Sequence, residues 1–248
     1  MYLYIYDEFV QDKKYQREMA LIENRLTDLG IAGKVVRMAL FRQAGEQVRD
    51  EARRGASTVV VVGNDQTVCK ILDAAADVDL PLGIIPVGPD NRLAKMFGIP
   101  EGVSACDVLS ARMIERIDTG LLNGKRFMAG VRVEHPEAVL TCEGQYRVSP
   151  DAGGCIEICN LVPIDSETYD DIADPRDGML EARIDVQKRH GVFSKKVHAT
   201  RLPIRFASID APVNINASCD GQLMQGKHFD ISIEPLKLKV ITGRERLF

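Results

Sequence analysis

The sequence predicts an α/β plus β fold, in which a doubly wound, mainly parallel α/β domain precedes a β-rich antiparallel sandwich domain. Two observations predict this fold. Strand and helix patterns alternate through the first half of the chain, and the helical period disappears from about Asp118 onward. We therefore predict domains at 1–118 and 119–234, and we expect residues 235–248 to pack back onto the first domain.

The first half supplies the elements of a parallel sheet. Thr58 and the four valines after it form an uninterrupted β-branched run, which is typical of a strand buried on both faces. Apolar side chains before Gly30 recur instead at helical spacing. The same reasoning predicts strands at 2–6, 34–40, 58–62 and 82–85, and helices at 12–29, 44–54, 67–76 and 91–97. In such a sheet, ligands bind at the carboxyl ends of the strands.

The second half is built from alternating strands. Apolar and polar residues alternate strictly over 180–186, 229–233 and 236–240, which is typical of antiparallel strands with one solvated face. Residues 164–176 are acidic and lack periodicity, so we predict a loop there.

Composition restricts the function. A formal net charge of −4, with charges of both signs spread along the chain, argues against nucleic acid as a partner. The first residues lack a basic region, and no apolar run reaches membrane-spanning length, so we expect a cytoplasmic protein without a transmembrane segment. The six cysteines and four histidines show no metal-ligand spacing, and we expect the cysteines to be buried thiols.

A tight loop follows the valine-rich strand. Gly63-Asn-Asp-Gln-Thr67 lies between that strand and a helix, where backbone N–H groups can hold an anion. Asn and Asp before a Thr also form an ordinary helix start. Taken alone, this loop leaves both interpretations open.

The next strand and loop identify a family. Pro86-Val-Gly-Pro-Asp-Asn-Arg92, followed by Leu93-Ala-Lys95 and Phe97-Gly-Ile-Pro100, resembles the diacylglycerol kinase family, which includes bacterial lipid kinases and sphingosine kinases and is related to NAD kinases. That family has G-G-D-G-T in the first loop and P-L-G-T-G-N-D in the second. The resemblance implies an active cleft between the two domains, ATP and Mg²⁺ as cofactors, and a common set of nucleotide-binding residues: Gly63, Asn64, Asp65, Thr67, Gly88 and Asn91.

The resemblance extends into the second half. The segment 117–127 is similar to the family's crossing strand, and Asn160 to its inner-strand asparagine. Cys219-Asp-Gly-Gln222 occupies the place of a late D-G-E motif, which makes Asp220 and Gln222 the candidate catalytic residues. By the same correspondence, Asp174-Pro-Arg-Asp-Gly-Met-Leu180 implies an Mg²⁺ site with the Asp177 carboxylate and the carbonyls of Asp174 and Met179.

Several positions depart from the family pattern. Asp7 and Glu8 stand where an N-P-x-S-G loop would hold ATP, and we expect either repulsion of phosphate or a solvated pair without effect. Asn64 is able to keep a glycine-like left-handed turn, whereas Gln66 adds a side chain where phosphate should approach. Pro89 removes a hydroxyl and a backbone donor. Gln222 replaces the glutamate that is the family's candidate base.

Three functions remain open. The first is ATP-dependent phosphorylation of a lipid hydroxyl, which the departures lead us to expect is impaired or lost. The second is a non-catalytic pseudokinase that binds a lipid, another small molecule or a partner protein. The third is phosphorylation of a soluble hydroxyl compound, as in the related NAD kinases. We also expect transient contact with a membrane surface, and we leave a homodimer open.

Overall fold

The computed structural model describes residues 1–38, 44–150, 155–161, 173–190 and 194–248, with only the backbone described at 185–190 and 194–200. The chain divides into two compact units. The first contains Met1–Ile117 and Lys237–Phe248, and the second contains Asp118–Leu236. Parallel strands lie in the first unit and antiparallel strands in the second, which confirms the predicted fold class.

The first unit is built on four parallel strands. They are β1 (Tyr2–Tyr6), β2 (Lys34–Arg37), β3 (Thr58–Gly63) and β4 (Leu82–Pro86). They lie in the order β2-β1-β3-β4, so β1 and β3 are central. Every residue of β3 is buried, as expected for a β-branched strand with both faces covered. The last predicted residues of the second strand, 39–40, lie outside the described residues.

In the described part of the first unit, five helices accompany this sheet. They are α1 (Gln16–Asp28), α2 (Ala44–Arg53), α3 (Asp65–Asp77), α4 (Arg92–Met96) and α5 (Ala105–Ala111). The prediction for 12–29 began too early, because the chain first forms two 3₁₀ turns, Glu8–Gln11 and Lys13–Tyr15. The prediction also missed α5, which is less than two turns of helix and therefore shows little periodicity.

After α5, the described residues form nine strands of varied length before the last one. They are β5 (Ile114–Leu122), β6 (Lys125–Phe127), β7 (Gly130–Val133), β8 (Val139–Cys142), β9 (Tyr146–Val148), β10 (Ile156–Cys159), β11 (Leu180–His190), β12 (Ser194–Ile204) and β13 (Phe206–Cys219). The last strand, β14 (Gln222–Ile241), pairs with β13, and its Val240 lies parallel to Leu82 of β4. In the second unit the strand order is β12-β11-β10-β7-β13-β14.

One long strand replaces two predicted ones. The alternating segments 229–233 and 236–240 both belong to β14, and the backbone between them is irregular, with a positive φ of 49° at Leu236. The Leu236 N–H donates to the Asp118 carboxylate (2.6 Å). The Asp118 carboxylate thus accepts a hydrogen bond from the backbone at the irregular point of the strand.

The second unit has its own apolar core. Aliphatic residues of β7, β10 and β11 pack with Phe127 and Phe229, all of them fully buried or nearly so. All six cysteines are free thiols, and all except the partly exposed Cys69 are buried, as predicted. Most of the predicted loop 164–176 lies outside the described residues. None of the helices in the described ranges is long and apolar enough to cross a membrane.

Gly120 is required by a cross-strand contact, and its substitution tests the packing of β5 on β6. Gly120 lies directly opposite Phe127, and a Cβ at Gly120 would overlap the Phe127 ring. We predict that Gly120→Ala lowers the free energy of unfolding by about 1–3 kcal/mol, because a methyl group forced into a filled core displaces its neighbours. Chemical denaturation measures this loss.

Gly226→Ala is the matched control, because Gly226 also lies in a strand but a Cβ there meets its nearest atoms at 3.4 Å, which is ordinary contact. We expect this variant to stay within about 0.5 kcal/mol of the parent protein. Equal effects of the two substitutions would contradict the packing described for Gly120.

Candidate functional site

The first candidate loop is organised by a helix cap. Asn64 is the N-cap of α3: its side chain accepts from Thr67 N (3.3 Å), and its own N–H donates to Thr67 Oγ1 (3.1 Å). This reciprocal pair is a capping box, which satisfies two backbone donors at the helix start. A Cβ at Gly63 would overlap the Thr67 side chain, so this tight cap requires glycine there.

One expectation about this loop was wrong in its backbone geometry, and the expectation that Gln66 obstructs phosphate stays a prediction. Asn64 has φ −117° and ψ −173°, an extended conformation and not the left-handed one expected of a glycine substitute. Gln66 lies in the first turn of α3 with its side chain exposed. The chain therefore accommodates both residues without strain.

Asp7 is buried and paired. It is 5% exposed, and its Oδ2 accepts from Thr67 Oγ1 and Lys70 Nζ, each at 2.9 Å. Burial raises the pKa of Asp7, but the hydrogen bonds from Lys70 and Thr67 outweigh it, so the pKa lies below its usual value. The expectation of a solvated pair was wrong for Asp7, which is buried, whereas Glu8 is exposed. Repulsion of phosphate by Asp7 stays a prediction.

Asp65 joins the two loops. Its carboxylate accepts from Arg92 N (2.8 Å) and Leu93 N (3.1 Å), and its backbone N–H donates to Asp90 O (3.0 Å). Because the first N–H groups of a helix lack partners within it, a carboxylate there is favourable both as an acceptor and as a negative charge. Asp65, the first residue of α3, therefore caps the start of α4.

The second loop contains two residues in the left-handed region. Gly88 has φ +79° and Asp90 has φ +65°. Asp90 stands at the second glycine of the family pattern, and aspartate adopts this conformation at a modest cost. Asn91 Nδ2 donates to Gly88 O (2.6 Å), and its buried Oδ1 has no partner among the described residues. The predicted residues of the two loops, 63–67 and 88–91, are thus brought together in the first unit.

In the second unit, Asp220 holds a backbone segment. Its carboxylate accepts from Met128 N (2.6 Å), Ala129 N (2.9 Å) and Gly130 N (2.9 Å). Burial raises the pKa of Asp220, and the three backbone donors offset part of that effect. Accepting a proton from a substrate would disturb these hydrogen bonds. The catalytic assignment of Asp220 stays a prediction, beside a structural role that the contacts show.

Gln222, the other candidate catalytic residue, accepts a hydrogen bond from Lys125 Nζ at its Oε1. Lys125 precedes Phe127 on β6, and Gln222 begins β14, so the pair links two elements of the second unit. No sequence pattern pointed to Lys125, because a lysine beside a turn is ordinarily solvated.

Sequence reasoning also missed a buried polar network around Asp118. Asp118 is fully buried and accepts from Gly178 N (2.8 Å) and Leu236 N (2.6 Å). Asn160 is also fully buried and donates through Nδ2 to the carbonyls of Asp118 and Met128, both at 2.9 Å. Burial first, and then the nearby carboxylates, raise the pKa of Asp118. The available signal was an aspartate within the otherwise uncharged segment 117–122.

Two side chains of the predicted Mg²⁺ segment have hydrogen-bond partners within the segment. The Asp174 carboxylate is engaged by Arg176, with Nε at 2.9 Å and Nη2 at 3.3 Å, and Asp177 Oδ1 accepts from Met179 N (2.8 Å). Within the described ranges, His, Cys, Asp and Glu side chains do not gather in groups of three or more that could hold a metal. These contacts do not involve Asp177 Oδ2, so the Mg²⁺ site with the Asp177 carboxylate and the carbonyls of Asp174 and Met179 stays a prediction.

Comparison with known proteins supports the family resemblance. Residues 2–122 match the family model of the diacylglycerol kinase catalytic domain. A stretch of 69 residues is 39% identical to a diacylglycerol kinase of Mycobacterium tuberculosis and covers 27% of this chain and 22% of that protein. A stretch of 118 residues is 25% identical to the diacylglycerol kinase of Bacillus subtilis and covers 46% of this chain and 39% of that protein. The matched part is thus well under two thirds of either relative.

The fold matches over a longer range. A solved structure of a diacylglycerol kinase from Bacillus anthracis superposes with a TM-score of 0.80 and 13% identity, covering 99% of this chain and 97% of that one. At this identity the match shows the fold. Together with the domain match, it confirms the resemblance to the diacylglycerol kinase family that the motifs predicted.

Asp7→Asn tests the buried pair with Lys70 through pH. Because the pKa of Asp7 is lowered on folding, its stabilising effect is complete above the unfolded pKa of about 3.9 and is lost as the pH falls through the folded pKa. We expect Asp7→Asn to cost about 1–3 kcal/mol at pH 7, as for a hydrogen-bonded buried group, and markedly less under acid conditions. Urea denaturation from neutral to acid pH gives the difference between variant and parent.

The exposed neighbour supplies the control. Glu8→Gln should change stability by less than about 0.5 kcal/mol across the same range. A pH-independent cost of Asp7→Asn would show that its carboxylate charge does not contribute.

Proposed function

We propose that this chain, whose residues 2–122 match the diacylglycerol kinase catalytic domain, is a diacylglycerol kinase-like protein in which phosphoryl transfer from ATP to a lipid hydroxyl is impaired or lost. It keeps the fold of the family and, in this proposal, binds a lipid or another small molecule. The single observation that carries the proposal is the use of loop N–H groups for internal capping.

A phosphate bound at a helix start needs free N–H donors and a site without negative charge. Here the Thr67 N–H donates to the Asn64 side chain, and the Asp65 N–H donates to Asp90 O. The first two N–H groups of α4 donate to the Asp65 carboxylate. A phosphate would have to compete for these donors and would meet a carboxylate beside them.

The catalytic side of the proposal depends on Gln222. Its amide oxygen accepts a hydrogen bond from Lys125 but cannot take the proton of an attacking hydroxyl. Protonation of Asp220 would weaken the three hydrogen bonds that its carboxylate accepts from backbone N–H groups. Neither residue is therefore a free general base of the kind that phosphoryl transfer to an alcohol uses.

An active lipid kinase is the second candidate, and a specific observation favours it. The expected repulsion between phosphate and Asp7 is reduced, because Lys70 and Thr67 compensate the carboxylate. The 39% identity to the diacylglycerol kinase of Mycobacterium tuberculosis also supports it. ATP, which the family uses generally, would then bind the loops at 63–67 and 88–91. The two candidates therefore differ in the affinity of these loops for ATP.

Nucleotide binding separates the candidates. We expect millimolar ATP with Mg²⁺ to shift the melting temperature by less than about 1 °C, because the loop donors are engaged internally. A ligand at a hundredfold excess over Kd stabilises by roughly 2.7 kcal/mol. At about 2–4 °C per kcal/mol for a chain of this size, such a ligand would shift the melting temperature by several degrees.

Differential scanning fluorimetry measures this shift. The diacylglycerol kinase of Bacillus subtilis serves as the positive control. A shift of several degrees in this chain would favour the active lipid kinase over the impaired one.

Restoring a glutamate at position 222 tests the missing base. If the base were the only defect, Gln222→Glu would raise turnover by about 10²- to 10⁴-fold. We expect less than a tenfold gain, since a base acts only on a nucleophile aligned with a bound phosphate. The new carboxylate would also face Lys125, which holds it in the charged form. Transfer from labelled ATP to diacylglycerol in mixed micelles measures the rate.

The triple variant Gln66→Gly, Pro89→Thr, Gln222→Glu is the companion experiment, because residues that act as a unit restore activity together and not separately. Measurable transfer by the parent protein, or a large gain from Gln222→Glu alone, would contradict the proposal.

A further inference from the structure

A cavity of about 390 Å³ lies in the first unit, where α5 and the residues that follow β14 line it. Its volume falls within the range of sites that bind small molecules, roughly 300–1,000 Å³. None of its lining residues belongs to the loops 63–67 and 88–91. They are Asp107, Val108, Ala111, Met113, Thr242, Gly243 and Arg244.

Backbone contacts hold the chain around this cavity. Thr242 N donates to Met113 O (2.9 Å), which joins two of the lining segments. Gly243 N donates to Phe97 O (2.8 Å), and a Cβ at Gly243 would overlap the carbonyl of Gly98. The fold therefore fixes the walls of the cavity, as is usual for a small-molecule site.

Thr242 has a hydroxyl group that the fold does not use. The residue is fully buried, and its Oγ1 has no hydrogen-bond partner among the described residues. A buried polar group without a partner is costly, and valine would have nearly the same shape without that cost. Because Thr242 lines the cavity, a hydrogen-bond acceptor bound there would supply the missing partner.

The charges at the cavity favour an anion. Arg244 is exposed, and within the described part of the chain its guanidinium has no hydrogen-bond or ion-pair partner. The one acidic residue of the lining, Asp107, is already paired with Arg25. A guanidinium donates two parallel hydrogen bonds to a carboxylate. An exposed arginine is ordinarily solvated, but this one lines a cavity that also contains an unpaired hydroxyl.

The remaining wall is apolar. Val108 and Ala111 are three residues apart on α5 and therefore lie on the same side of that helix. Met113 follows the helix, and both Met113 and Val108 are half-buried. An aliphatic chain placed against these side chains would be removed from water, which is favourable. The lining thus suits a molecule with an aliphatic part and an anionic end.

We propose that this cavity binds a small aliphatic carboxylate. Arg244 and the Thr242 hydroxyl donate hydrogen bonds to the carboxylate, and the chain of the ligand packs against Val108, Ala111 and Met113. Both unpaired donors are then satisfied. The proposal goes beyond the proposed function and does not depend on it, because neither candidate function assigns these residues a role.

Three probes that share one aliphatic chain test the preference for an anion: hexanoate, hexanol and hexylamine. Titration followed by backbone amide NMR, without nucleotide, gives both the affinity and the location of each probe. We expect hexanoate to bind with about millimolar affinity, as a ligand of this size allows. Hexanol should bind at least about fivefold more weakly, and hexylamine more weakly still. The amide shifts should be concentrated at 107–113 and 242–244.

Substitutions test the two donors. Arg244→Gln and Thr242→Val should each weaken hexanoate binding about fivefold, as for one exposed ion pair and one neutral hydrogen bond. Thr242→Val should melt at the same temperature as the parent or higher, because its hydroxyl has no partner to lose. Thr242→Ser keeps the hydroxyl and should keep the binding. The matched control is Arg17→Gln, the same change at an exposed position of α1, which should leave the affinity unchanged.

Several results would overturn the proposal. They are absence of hexanoate binding, equal binding of hexanol or hexylamine, amide shifts confined to other residues, and an affinity that neither Arg244→Gln nor Thr242→Val changes. A marked loss of stability in Thr242→Val would assign its hydroxyl a structural role and would remove the basis of the proposal. Nucleotide is absent from these titrations, so failure of this site and failure of the proposed function are distinguishable.

Discussion

Carboxylates that accept hydrogen bonds from backbone N–H groups hold the loops of both units in place. Asp65 caps α4, Asp118 receives the N–H groups of Gly178 and Leu236, and Asp220 receives three successive N–H groups from residue 128 onward. Buried or loop-end donors without partners are costly, and an ionised acceptor forms the stronger kind of hydrogen bond. The positions of the candidate site residues follow from these contacts.

This arrangement changes how the surviving motif residues are interpreted. Asp65 and Asp220 both match the family pattern, and a match of that kind suggests a role in catalysis. Their contacts provide a sufficient structural reason for an aspartate at each position. The residues that differ from the pattern are placed differently: the Gln66 side chain is exposed, and the Gln222 side chain accepts from the side chain of Lys125. The fold therefore does not require the family's residues at these two positions.

Charge is handled differently in the two units. In the first unit, the buried Asp7 is compensated by Lys70, whose amine lies 2.9 Å from its carboxylate. In the second, the fully buried Asp118 accepts hydrogen bonds from the backbone N–H groups of Gly178 and Leu236. A buried carboxylate requires partners inside the protein, either a cation or backbone donors. The two units meet this requirement with different partners.

The sequence alone determined the fold class, because β-branched runs such as 58–62 and the alternation at 180–186 encode burial locally. It also located both loops, since Gly63 and Gly88 mark places where the chain must turn closely. Only the tertiary structure decided that Asp7 is paired, that Asp65 caps another helix, and that Asp118 joins residues 178 and 236. These contacts join residues between 27 and 118 positions apart, and local patterns carry no information about such partners.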